Sequence, residues 1–174
     1  EQVMGIVQFP VWRTITSVMY NSPDELFLAC REIGGIIPYI GEPELPPAPD
    51  ITVNLARVNP TILGLKEYKC GGVRGVPLQE YREKALSTGR LDLCPRWLAP
   101  QLFLQYDEQP PNEWIYMGMD TMTHECPDAW NGYQYIHGMH TWPDSYRWLS
   151  RHPGYPDSPY GKSTGDLIFV LVSK

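Results

Sequence analysis

The sequence lacks several features that would assign it to a recognisable class of protein. It contains no apolar run near the roughly 18 residues that a membrane-spanning helix needs, so we expect no membrane span. It also lacks the C-x-x-C and H-E-x-x-H patterns of common zinc sites, and it contains no Asn-X-Ser/Thr glycosylation sequon. These absences leave a globular domain whose function must be sought in less specific patterns.

Positive charge is scarce as well. The chain has 14 Lys and Arg against 20 Asp and Glu, a net charge of −6, so it is poorly suited to bind a polyanion and we expect no nucleic-acid partner. The charge is uneven, because residues 57–96 carry +4 and the remainder carries −10. The ordinary interpretation of this segment is a solvated helix with its flanking loops. A second alternative function for the protein is the binding of nucleic acid or of an acidic partner through this segment. Its basic residues are Arg57, Lys66, Lys69, Arg74, Arg82, Lys84, Arg90 and Arg96.

The cysteines do not indicate a disulfide framework. Cys30, Cys70, Cys94 and Cys126 are widely and irregularly spaced. Four cysteines in a chain of this size are ordinary for a reduced protein, so we expect a cytoplasmic location. Because the sequence begins with Glu1 instead of Met, the removal of an earlier segment stays open.

The composition predicts one domain of mixed architecture. Eighteen Pro and 15 Gly indicate many turns and short elements, and 174 residues suit a single globular domain over 1–174. Five prolines within residues 38–49 predict a stiff, extended connector. Strand-like segments outnumber helices and do not alternate with them. We therefore predict an α+β fold, a mainly antiparallel sheet with two or three short helices packed on one face.

Local signals place the individual elements. The clearest helix follows Ser22 as N-cap, has Pro23 at its first position and stops at Gly34. Further helices are predicted over 77–87 and near 143–151. Apolar and β-branched runs predict strands over 3–9, 12–20, 51–58, 61–68, 101–106, 113–119 and 166–172, with 101–106 and 113–119 paired as a hairpin.

Large aromatic residues are concentrated in residues 111–160, which hold ten of the 17 Trp and Tyr. Each such ring offers a broad apolar area with one polar tip, which suits recognition as well as core packing. Our first hypothesis is therefore a non-catalytic binding module that contacts a protein or small-molecule partner through this segment. The contacts we predict are Trp130, Tyr133, Tyr135, Trp142 and Tyr146.

All four histidines fall within residues 124–152, which suggests a metal site. The nitrogen and sulfur donors that could close on zinc are His124, Cys126, His137 and His140. The alternative function is thus a zinc-dependent enzyme of hydrolytic type, in which His124, His137 and His140 bind the zinc and Glu125 is the general base. Cys126 is a second catalytic candidate, as a thiolate beside a histidine. Ordinary hydrogen bonding in loops is the competing interpretation of these histidines.

Overall fold

The computed structural model describes residues 8–36, 47–70, 73–123, 134–153, 159–160 and 165–173. Within these ranges the helices are α1 (Pro23–Ile33), α2 (Leu78–Ser87) and α3 (Leu98–Gln105), with a 3₁₀ helix over Pro60–Leu63. The strands are β1 (Arg13–Thr16), β2 (Gly35–Ile36), β3 (Thr52–Val58), β4 (Tyr68–Cys70), β5 (Val73–Pro77), β6 (Leu91–Asp92), β7 (Trp114–Met117), β8 (Met122–Thr123), β9 (Gln134–Thr141), β10 (Arg147–Pro153), β11 (Pro159–Tyr160) and β12 (Leu167–Leu171).

Nine of the described strands form one sheet. Its main path runs β1-β3-β12-β7-β9-β10-β2, while β6 pairs with β12 and β8 pairs with β9. Within this sheet β2 runs parallel to β10 and β7 runs parallel to β12, and the other pairs are antiparallel. Strands β4, β5 and β11 form a small second sheet. The predicted α+β class, a mainly antiparallel sheet with three short helices, is confirmed.

Helices cover both faces of the large sheet, whereas the sequence predicted helices on one face. On the first face, Arg147 of β10 donates a hydrogen bond of 2.5 Å to the carbonyl of Phe103 in α3, and α1 packs against α3. On the second face, Tyr81 of α2 lies 6.1 Å from the ring of Phe169 in β12. The strand register places Arg147 and Phe169 on opposite faces, so the helices are divided between them.

The predicted strand over 101–106 is wrong, because these residues belong to α3 and its end. Leu98 and Leu102 follow a four-residue spacing and are fully buried, as a helix packed on a sheet requires. Pro100 lies in the first helical turn, where its missing N–H removes no helical hydrogen bond. The buried Gln101 amide is satisfied by the Val18 backbone, at 2.9 and 2.7 Å, a long-range contact that local propensity cannot show.

Two further local predictions are wrong. The predicted helix near 143–151 is a tight turn followed by β10, which pairs along its whole length with β9. The predicted strand over 61–68 begins as the 3₁₀ helix, because the Asn59 side chain accepts a hydrogen bond of 2.9 Å from the Thr61 amide and so favours a helical start. By contrast, five predicted elements are confirmed, namely α1, α2, β3, β7 and β12. Strand β1 is shorter than the strand predicted over 12–20.

Parts of the prediction fall on residues that the structure does not describe. Most of the strand predicted over 3–9 and most of the connector predicted over 38–49 lie outside the described ranges. Within those ranges, none of the helices has the length and apolar character needed to cross a membrane.

Candidate binding surface

An array of stacked rings crosses three neighbouring strands. The register aligns Trp114 of β7, His140 of β9 and Trp148 of β10 side by side. The ring centres of Trp114 and His140 are 4.3 Å apart and those of His140 and Trp148 are 6.4 Å apart, with planes within 13° and 9° of parallel. Such cross-strand pairs on one face stabilise a sheet, and we call these three residues the ring stack.

A buried polar group lies next to the ring stack on the same face. The Ser150 hydroxyl oxygen is 3.0 Å from His152 Nε2 and 3.4 Å from His140 Nδ1. The His152 ring also lies across Gly138, since a Cβ at that position would come within 2.5 Å of the ring. Glycine is therefore required there by the close approach of the imidazole. The Ser150 hydroxyl has one proton, so it can donate to one imidazole, or to the Gly138 carbonyl at 3.4 Å, and can accept a hydrogen bond from the other ring.

The turn between β9 and β10 carries two exposed aromatic side chains. Residues Trp142–Tyr146, here called the hairpin tip, close through hydrogen bonds from Trp142 N to Tyr146 O and from Ser145 N to Trp142 O, both 2.9 Å. Pro143 suits the first central position of the turn, and Ser145 adopts a left-handed φ of 68°. The Asp144 carboxylate accepts a hydrogen bond of 3.0 Å from the Tyr146 amide, which fixes the turn further.

The hairpin tip is attached directly to the ring stack. The Trp142 ring meets His140 edge-on at 5.3 Å, and the Tyr146 ring meets Trp148 edge-on at 5.5 Å. Trp142 and Tyr146 are each 48% exposed. Every other Trp, Tyr or Phe whose burial the structure describes is buried or half-buried. Among the aromatic side chains whose burial is described, the exposed ones are therefore concentrated in one hydrogen-bonded turn.

The predicted contact residues fall into three groups. Trp142 and Tyr146 are exposed, as a contact surface requires. Tyr135 is fully buried on the opposite face of β9, so it belongs to the core and is a poor candidate for surface contact. Trp130 and Tyr133 lie outside the described residues. The ring stack behind the tip was not predicted as a unit, because it depends on strand register, which spacing along the chain does not give.

Of the predicted zinc ligands, the two that the structure describes, His137 and His140, are not brought together. His137 and His140 are three residues apart on β9, and side chains alternate along a strand, so the two imidazoles leave on opposite faces. His137 lies beside Tyr135, while His140 lies in the ring stack. His124, Glu125 and Cys126 fall in a range that the structure leaves undescribed. Among the described side chains, no group of three or more His, Cys, Asp or Glu could hold a metal ion.

The basic segment 57–96 directs two of its cations inward. Arg57 pairs with Glu113 and, at 2.8 Å, with Asp166, while Tyr106 donates a hydrogen bond of 2.9 Å to Glu113. Burial lowers the pKa of Arg57, but its hydrogen bonds to the two carboxylates outweigh burial, so the pKa is raised. Arg82 donates a hydrogen bond of 2.9 Å to the Met119 carbonyl. These contacts support a structural role for both arginines.

The two cysteines that the structure describes as free thiols are buried and unreactive. Cys30 lies beneath α3, and burial raises the pKa of its thiol to about 12. Cys94 is fully enclosed beside β12, and burial raises its pKa further. Neither thiol is prepared for nucleophilic catalysis.

Comparisons of the chain with known protein families, curated proteins and solved structures gave no match.

Proposed function

We propose that the protein is a non-catalytic binding module that contacts a partner protein through the hairpin tip. The observation that carries this proposal is the position of Trp142 and Tyr146, which flank a single turn and are the exposed aromatic side chains among those whose burial the structure describes. Trp and Tyr are enriched among the residues that dominate binding energy at protein interfaces.

The rigidity of the tip supports the same proposal. Binding costs free energy when side chains and loops must be ordered at the interface. Here the turn is closed by backbone hydrogen bonds and by the Asp144 carboxylate, and both rings already rest against the ring stack. Little ordering is left for a partner to induce, so the exposed ring area can contribute more fully to affinity.

The proposal can be tested with a random-peptide phage library panned against the purified protein. The selected clones are then measured on the wild type, on Trp142→Ala and on Tyr146→Ala. Leu86→Ala is the matched control, because Leu86 is an exposed apolar residue on α2, on a different part of the molecule. We expect Trp142→Ala to weaken the clones by about 30-fold, the equivalent of about 2 kcal/mol for a dominant contact.

The melting temperature of each variant separates recognition from stability. Because Trp142 is half exposed, Trp142→Ala is expected to unfold close to the wild-type temperature while losing its peptides. Clones that bind Trp142→Ala and Leu86→Ala equally well would place the contact surface elsewhere. Failure of the library to yield any specific clone would contradict the binding module itself.

A further inference from the structure

We infer that the side chain recognised by the hairpin tip is an arginine of the partner, an inference that rests on the proposed function. The faces of indole and phenol rings attract cations, and a planar guanidinium also stacks on them. Asp144 is exposed and lies in the turn between Trp142 and Tyr146. The tip thus presents two aromatic rings and one carboxylate, the groups that together recognise an organic cation.

The arginines that the structure describes at this end of the sheet are already engaged within the chain. Arg13 forms an ion pair of 2.5 Å with Glu108. Arg57 is held between two carboxylates, Glu113 and Asp166. Arg147 leaves β10 on the face opposite to the ring stack, where it is buried against Phe103. None of these three guanidinium groups is therefore available to neutralise the hairpin tip.

One carboxylate at the same end, that of the tip itself, has no ion-pair partner among the described residues. The turn 107–112 is held beside the tip by a hydrogen bond of 2.8 Å from Asn112 N to Thr141 O. Asp144 of the tip is exposed, and the described residues place no cation within ion-pair distance of it. Asp107 of the neighbouring turn differs, because it offsets part of the burial that lowers the pKa of Arg147, so its charge is partly balanced within the chain. With a net charge of −6, the chain favours a positively charged partner at this end.

A sugar is the other ligand that would stack on such rings, and it requires no charge. The test therefore compares an acetylated hexapeptide of alternating glycine and arginine with the same peptide in which citrulline, a neutral isostere, replaces arginine. Both are titrated by calorimetry into the wild type, Trp142→Ala and Asp144→Asn, and a panel of neutral oligosaccharides is titrated alongside. Asparagine keeps the acceptor oxygen that fixes the turn, so Asp144→Asn removes the charge and preserves the fold.

Asp92→Asn is the matched control for charge. Asp92 is exposed on β6, and its carboxylate also accepts a backbone hydrogen bond, of 2.7 Å from the Leu93 amide. It pairs with the last residues of β12, at the end of the sheet remote from the tip. We expect the arginine peptide to bind the wild type at least about fivefold more tightly than the citrulline peptide. Trp142→Ala should weaken binding of the arginine peptide about tenfold or more. Asp144→Asn should weaken it roughly two- to fivefold and make the affinity less dependent on salt. Asp92→Asn should leave the affinity unchanged.

Three results would overturn the inference: no binding of the arginine peptide, equal binding of the arginine and citrulline peptides, or equal losses in Asp144→Asn and Asp92→Asn. Oligosaccharide binding that requires Trp142, without arginine binding, would also overturn it. The proposed function is tested separately: it is contradicted when library peptides of any charge bind the wild type and Trp142→Ala equally well.

Discussion

The two faces of β7, β9 and β10 carry different chemistry although they are built from the same strands. One face presents Ile115, Met139 and Leu149 in register, all fully buried on the side where Arg147 meets α3. The other face carries the ring stack, with Ser150 and His152 hydrogen-bonded beside it, and the exposed hairpin tip packs against the ring stack. The comparison shows that alternation along a strand places neighbouring residues such as Trp148 and Leu149 in different surroundings, the aromatic ring stack and the apolar core.

The largest effect is expected on the face that packs against α3. Leu149→Ala removes a fully buried side chain and should lower the free energy of unfolding by about 2–5 kcal/mol, measured by urea denaturation. Trp142→Ala, on the exposed tip, should cost less than about 1 kcal/mol. Equal losses in the two variants would contradict the division between a packed face and a presenting turn.

A smaller effect is expected where the aromatic face is most closely packed. Gly138→Ala would place a Cβ 2.5 Å from the His152 ring and 3.0 Å from the Ile115 carbonyl, so it should destabilise the protein by about 1–3 kcal/mol. In a His152→Ala background the ring is absent, and the cost of the same alanine should fall. A double-mutant cycle measures this difference, and strict additivity would show that the ring is not what requires glycine.

The smallest effect is expected at the exposed rim. A hydrogen bond from Arg13 lowers the pKa of Glu108 to about 2. In the unfolded chain the pKa is about 4.3, so the stabilisation is present above that pH and is lost as the pH falls toward 2. NMR titration of the Glu108 carboxyl should show a higher midpoint in Arg13→Gln than in the wild type. The same midpoint in both proteins would mean that Arg13 does not hold the carboxylate.

The sequence predicted those elements whose signals are local. The Ser22 hydroxyl accepts a hydrogen bond of 3.3 Å from the Glu25 amide at the start of α1, and the Gly34 amide closes its end on the Cys30 carbonyl at 3.1 Å. The sequence predicted both, Ser22 as the N-cap and Gly34 as the residue at which the helix ends. The end of the chain likewise predicted β12, because a continuous apolar run of that length favours a buried strand.

The elements that could not be predicted depend on distant partners. Residues 101–106 have the apolar content of a strand, but the helix buries Leu98 and Leu102 on one side and satisfies the Gln101 amide through the distant Val18 backbone. Of the site, Trp142 and Tyr146 could be selected from composition alone, whereas the ring stack required the register of three strands. The same register separates His137 from His140, which a count of residues between them cannot reveal.

The most direct test of the hairpin tip as the contact surface is a ¹H–¹⁵N spectrum of the tryptophan indole groups. The Trp142 signal is assigned as the one that disappears in Trp142→Ala, and the spectrum is recorded while the tightest library peptide is added. Trp97, which is buried at the start of α3, is the internal control. If the hairpin tip is the contact surface, the chemical shift of the Trp142 indole signal changes until the protein is saturated with peptide, and that of Trp97 stays constant. A saturating peptide that leaves the Trp142 signal unmoved would contradict the hairpin tip as the contact surface.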